Sequence, residues 1–288
     1  MKNIRKKLEN IALFDKIIIL AFLFGIIFFA YFFFRKQDFV TVTVKVGEDA
    51  IRYEEWVATT GTRTWFEQLF KPGMEETDGL GRAMAELVSV YSYDTEPSRK
   101  AVYLNLNLRA IYNRTSGQHS FKGRALLVGS PIRLNLDGLY IEGLVTGVQG
   151  VDDTRKREDI IVSAQVVVDK KDNVFFLETT GTSESIEKAL NIGDEVKDSG
   201  GNVVIKIIDK KVEDAKRSVT TSDGRIIVAR NPLRKDVFLT LKINAIKTGD
   251  RYYVFDDIPI LIGNTIPLNT PTLFVEPEVT KIEVSKTE

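Results

Sequence analysis

Histidine, the side chain best suited to proton transfer near neutral pH, occurs once, as His119 in the polar run Asn113-Arg-Thr-Ser-Gly-Gln-His-Ser. A Ser–His–Asp array or a histidine-bound metal needs that imidazole set against partners. A single histidine in a turn-rich loop reads instead as solvated. Paired carboxylates occur at Glu54-Glu55, Glu75-Glu76, Asp152-Asp153 and Asp256-Asp257. Neighbours on a strand point to opposite faces, so these pairs read as solvated charge and not as a shared acid–base site. Asp169-Lys-Lys-Asp-Asn173 lacks the ligand spacing of a calcium loop, and no glycine loop followed by Lys-Ser/Thr offers to cradle phosphate. Cysteine is absent, which removes disulfides, thiolate metal sites and a cysteine nucleophile together. The expectation is no catalytic residue, no metal ligand and no cofactor.

Two other groups of residues remain candidates for binding. Thr59-Thr60-Gly61-Thr62 recurs as Thr179-Thr180-Gly181-Thr182. Hydroxyls beside a glycine can line a ligand site, and they equally form a turn that caps a following helix. Trp65, Phe66, Leu69 and Phe70 follow the first of these motifs, where the second is followed by Ser185, Ile186, Ala189 and Leu190. Ile186 and Leu190 mark a buried face, which assigns Phe66 and Phe70 to a core. Trp65 and Leu69 then fall outside it, as a candidate interaction surface.

The elements that position these residues begin with an anchor. Residues 17–34 (IIILAFLFGIIFFAYFFF) carry no charge. As a helix they would reach about 27 Å, close to the thickness of a bilayer core. The run ends in aromatic and basic residues, unlike the small-residue cleavage site of a signal peptide. Lys2, Arg5, Lys6, Lys7 and Lys16 precede it, so the N-terminus is expected in the cytoplasm and the remainder outside. Ile4, Leu8, Ile11 and Phe14 give residues 1–16 the pattern of a basic amphipathic segment.

Beyond the anchor an internal repeat organises the chain. At an offset of 120, residues 59–90 match 179–210 at nine positions, among them Glu67/Glu187, Gly73/Gly193 and Gly81/Gly201. After an insertion the match resumes: Lys100 to Ile111 faces Lys235 to Ile246, and Leu127-Val-Gly faces Leu261-Ile-Gly. A tandem duplication follows, with copies at 39–150 and 159–285 joined by a charged linker at 151–158. Residues 209–234 hold the insertion, whose Ser-Asp-Gly-Arg turn predicts an added hairpin. A glycine followed by Val or Ile before a strand recurs at 193 and 263, which suggests two related halves within a copy.

Strict alternation at Val40–Val46, Val102–Leu108 and Val237–Ile243 predicts antiparallel strands with one dry face. The fold class is mainly β: an N-terminal transmembrane helix, then two small antiparallel barrel or sandwich domains. Each should have about six strands and one short helix, near Arg63–Phe70 and Ser183–Leu190. Ile192-Gly-Asp-Glu-Val196, Asp236-Val-Phe-Leu-Thr-Leu241, the run Ile258 to Thr270 and Val279-Thr-Lys-Ile282 resemble the bacterial family of unknown function numbered four-three-three-zero. That resemblance implies a membrane-anchored β domain, here doubled, and brings no activity with it.

Residues 39–288 contain 40 − 7 = 33 basic and 40 − 3 = 37 acidic side chains, near −4 overall. This excludes a nucleic-acid-binding face of ordinary type. The expected role is a single-pass, non-enzymatic envelope protein. Its partners would be the bilayer through Ile17–Phe34 and other envelope proteins or further copies of itself. A ligand-binding or sensing ectodomain is the alternative, and a carboxylate-based hydrolase of envelope polymers stands behind it.

Overall fold

Apolar helix-forming residues without proline carry the chain through α1, Leu13–Phe33, 21 residues long. The computed structural model describes residues 13–33, 38–47, 62–150, 156–167 and 181–284. The basic segment before residue 13, Phe34, most of the linker, and the threonines at 59, 60, 179 and 180 lie outside them. Among the described residues no helix is long and apolar enough to cross a membrane.

The rest is mainly β. The N-terminal unit comprises β1 (Asp38–Val46), β2 (Thr62–Arg63), β3 (Glu75–Thr77), β4 (Ala83–Glu96), β5 (Arg99–Asn113), β6 (Gln118–Phe121), β7 (Arg124–Ala125), β8 (Pro131–Leu136) and β9 (Leu139–Val148). Its main path is β3-β4-β5-β1-β9-β8, in a bent, barrel-like sheet. The alternation read in β1 is realised: Val40, Val42, Val44 and Val46 are buried between β5 and β9.

The C-terminal unit comprises β10 (Lys156–Val166), β11 (Thr182–Ser183), α2 (Glu184–Ala189), β12 (Glu195–Lys197), β13 (Val203–Thr220), β14 (Ile226–Thr248), β15 (Arg251–Val254), β16 (Ile258–Pro259), β17 (Leu268–Asn269), β18 (Phe274–Val275) and β19 (Glu278–Val284). Its path β12-β13-β14-β10-β19 repeats the order of the first unit, and β17-β18 repeats the pairing of β8 with β9. The strand count exceeds the six expected because short pieces at the rims join each sheet. The first strand of this unit starts at Lys156, inside the segment expected to be linker.

One local device recurs four times. The N–H of Gly73, Gly129, Gly193 and Gly263 donates to the carbonyl of Leu87, Val145, Ile207 and Val279 respectively, at 2.7–2.8 Å. Each of those strand residues donates back to the carbonyl of the residue after the glycine, at 2.8–3.0 Å. Twice per unit, then, a turn is clasped to a strand in the same way. Register slips match too: a bulge between Thr43 and Val44 in β1 has its counterpart between Ser163 and Ala164 in β10.

Two sequence expectations change. The helix expected over Arg63–Phe70 is a single 3-10 turn, Phe66–Leu69, preceded by β2. Trp65 leads into this turn without a side-chain cap, whereas Ser183 accepts from the Ile186 N–H at 3.4 Å and supports a full turn of α-helix in α2. His119 is not on a loop; it lies on β6 opposite Tyr112, their rings 5.0 Å apart. The inserted segment is a hairpin, as expected, formed by long extensions of β13 and β14.

Candidate functional site at the junction of the two units

A dense gathering of polar chemistry lies where the units meet, and its residues come from four strands and one turn. β4 supplies Tyr91 and Tyr93, β5 supplies Tyr103, β1 supplies Lys45 and β10 supplies Arg157. The turn between β15 and β16 supplies Phe255, Asp256 and Asp257. Tyr91 and Tyr93 donate to the two carboxylate oxygens of Asp256, at 3.0 and 3.1 Å. Arg157 donates to the same carboxylate at 2.7 Å and to the Tyr93 hydroxyl at 3.0 Å. Tyr103 donates to the Phe255 carbonyl at 2.9 Å, and Lys45 pairs with Asp257. Tyr91 stacks on Tyr103 with centroids 5.1 Å apart, and Tyr93 packs against Phe255 at 5.3 Å.

The turn is strained where it meets the tyrosines. Phe255 and Asp256 have φ of +54° and +72°, while the equivalent turn between β6 and β7 places Gly123 at its second left-handed position. Aspartate tolerates that region and phenylalanine does so at a cost on the order of 1 kcal/mol. Burial of the Phe255 ring against Tyr93 offsets it. Proton affinities follow from burial. Desolvation, then the charge of Asp256, pushes the Tyr91 and Tyr93 hydroxyls well above their ordinary range. They therefore stay protonated and remain donors. Burial also raises the Asp257 carboxyl above its ordinary value, against the pull of Lys45.

Beside this cluster opens a cleft of about 400 Å³, lined by Thr41, Thr43, Gly147, Gln149, Arg157 and Asp256 among others. The hydroxyls of Thr41 and Thr43, two of the lining residues, donate to Asn107 and Asn105 and keep their lone pairs as acceptors. The geometry suits an uncharged or zwitterionic polar ligand. It does not suit a strong acid or base, because Arg157 and Asp256 already compensate each other.

The sequence candidates lie elsewhere. Thr62 and Thr182 are buried and pair with Lys100 and Lys235; neither lines the cleft. Gly181 has φ +90°, and a Cβ there would meet the Ala215 Cβ at 2.6 Å and the Lys235 carbonyl oxygen at 2.7 Å. At Gly181 the second copy of the motif is thus a close-packed corner. Trp65 is 53% exposed and Leu69 41%, while Phe70 is buried and Phe66 packs against the core. Asp256-Asp257, read from sequence as solvated, is drawn into the junction, because a turn does not hold neighbours on opposite faces as a strand does. The junction could have been found by the comparison that singled out Trp65: Tyr91 and Tyr93 stand where the second copy has Lys211 and Glu213.

The family model of a domain of unknown function (DUF4330) matches residues 151–283, which is the C-terminal unit. No curated protein and no solved structure matches the chain.

Proposed function

We propose that the chain is a single-pass membrane protein of the bacterial envelope, with residues 1–16 in the cytoplasm and a duplicated β module outside. Its role in this reading is non-enzymatic scaffolding through protein interaction. The observation that carries it is α1: Ile17 to Phe28 present one apolar side chain after another, and all of them are exposed. So much unpacked aliphatic and aromatic surface is tolerated where lipid covers it. The recurring clasps and matching bulges support the duplication, and Trp65 with Leu69 is the candidate contact surface. A reporter active only in the cytoplasm, fused after Glu288, should be silent in the bacterial host, and one active only outside should work. The reverse pattern would overturn the orientation and the localisation with it.

Ligand binding is the second reading, favoured by the cleft beside Arg157. Isothermal titration of small zwitterionic metabolites against the chain from Asp38 onward tests it. Heat that disappears in Thr43→Val, which keeps the shape and removes the acceptor, would support the cleft. Unchanged heat would place binding elsewhere.

A further inference from the structure

The extended hairpin of the C-terminal unit has no counterpart in the first. Past the bulge between Asp214 and Ala215, β13 and β14 continue as a two-stranded arm from Ala215↔Asn231 to Thr220↔Ile226. Ile226, Val228 and Leu233 on this arm are 73%, 69% and 83% exposed. The register places Lys216, Thr220, Ile226, Val228 and Arg230 on one face, with the apolar pair toward the tip and the cations toward the base. Arg225 and Arg230 are themselves highly exposed.

Charge separates this arm from the body that carries it. Residues 215–234 contain Lys216, Arg217, Arg225, Arg230 and Arg234 against Asp223 alone, a balance of +4, on residues 39–288 that total near −4. The exposed apolar side chains are aliphatic, with no tryptophan, tyrosine or phenylalanine among them. Protein hot spots favour aromatic anchors in pockets. An aliphatic tip backed by cations matches a bilayer surface, where the tip enters the acyl boundary and the cations stay among anionic headgroups.

We propose that the arm at residues 215–234 docks on an anionic lipid surface, through Ile226 and Val228 inserted below Lys216 and Arg230. The proposal rests on the anchor reading only for the proximity of a membrane. The absence of cysteine makes the test clean. The full chain carrying Thr220→Cys with an environment-sensitive fluorophore is reconstituted in vesicles of phosphatidylcholine alone or with a third phosphatidylglycerol. Lipid-borne spin labels should quench the probe, and its emission should shift to the blue, on the anionic vesicles only. Adding K216Q, R225Q, R230Q and R234Q, or I226S with V228S, should abolish both signals while circular dichroism stays unchanged. A probe that remains in water on anionic vesicles overturns the proposal and favours an acidic protein as occupant; quenching that survives the charge substitutions overturns it as well. A second probe at Leu20→Cys should be quenched in both vesicle types. Its failure to do so would count against the anchor, separately from the arm.

Discussion

At the scale of single residues, the junction holds the Asp256 carboxylate from three sides. It satisfies Tyr91, Tyr93 and Arg157 at once. Asp256→Ala leaves the Tyr91 and Tyr93 hydroxyls and the Arg157 guanidinium each short of a partner, for a loss of about 2 kcal/mol in denaturant unfolding. A loss below about 1 kcal/mol would mean that water replaces the carboxylate without penalty. Asp257 next to it gives a pH signature. Burial raises its folded pKa above the unfolded value near 3.8, so the fold binds the proton more tightly than the unfolded chain does. That contribution is fully present below the unfolded pKa and fades as pH rises through the folded one. The stability of the natural chain relative to Asp257→Asn should therefore fall as pH climbs from about 4 toward neutrality; a difference that grows with pH would show that Lys45, not burial, governs the group. Trp65 belongs to the opposite class. With more than half of it in solvent, Trp65→Ser should change stability by less than about 1 kcal/mol while weakening association with whatever partner co-purifies in mild detergent. Stability lost by several kcal/mol instead would make Trp65 a packing residue.

At the scale of elements, periodicity was legible and tertiary rims were not. Val40–Val46 and Val237–Ile243 alternate in sequence and pair in register as central strands, since a half-buried strand must write its pattern into its residues. The short strands β2, β7, β11 and β16 span two residues each and have no period to detect. Apolar spacing predicts a helix at Phe66–Leu69 but cannot supply a cap, so the segment closes as a 3-10 turn; Ser183 caps α2 where Trp65 caps nothing. Gly181 shows what the repeated threonine motif contributes in the second unit. A methyl group there would need φ +90° and would press on Ala215 and on the Lys235 carbonyl. Gly181→Ala should cost about 2–4 kcal/mol, the combined effect of a left-handed alanine and an overpacked corner. A nearly neutral result would show that β11 can lift away from β14, and would reopen the motif as a site with room for a ligand.

At the scale of the whole molecule, the sequence suggested two units with separate cores, and the packing couples them. Tyr93, Ala101 and Tyr103 belong to the N-terminal unit by chain position, yet they pack into the hydrophobic core of the C-terminal one. The coupling is continued by backbone: Tyr93 bridges Asp198, and Ser92 and Ser199 exchange bonds through the Ser92 carbonyl and the Ser199 hydroxyl. A repeat in sequence shows the shared core through its identities and the junction only through its differences, here Tyr91 and Tyr93 against Lys211 and Glu213. The coupling has a thermodynamic consequence. Tyr103→Ala removes a fully buried ring that stacks on Tyr91 and bonds the Phe255 carbonyl, a change worth about 3–5 kcal/mol. If the units fold as one cooperative body, that loss should appear equally to a probe in either of them, as a single shifted calorimetric transition for the chain from Asp38 onward. A chain beginning at Lys156 should melt below the same unit in the longer chain, because Phe255 and Asp257 lose Tyr93, Tyr103 and Lys45 together. Two resolved transitions, with the C-terminal one unmoved by Tyr103→Ala, would return the molecule to a pair of independent modules. The junction would then be a contact without energetic weight.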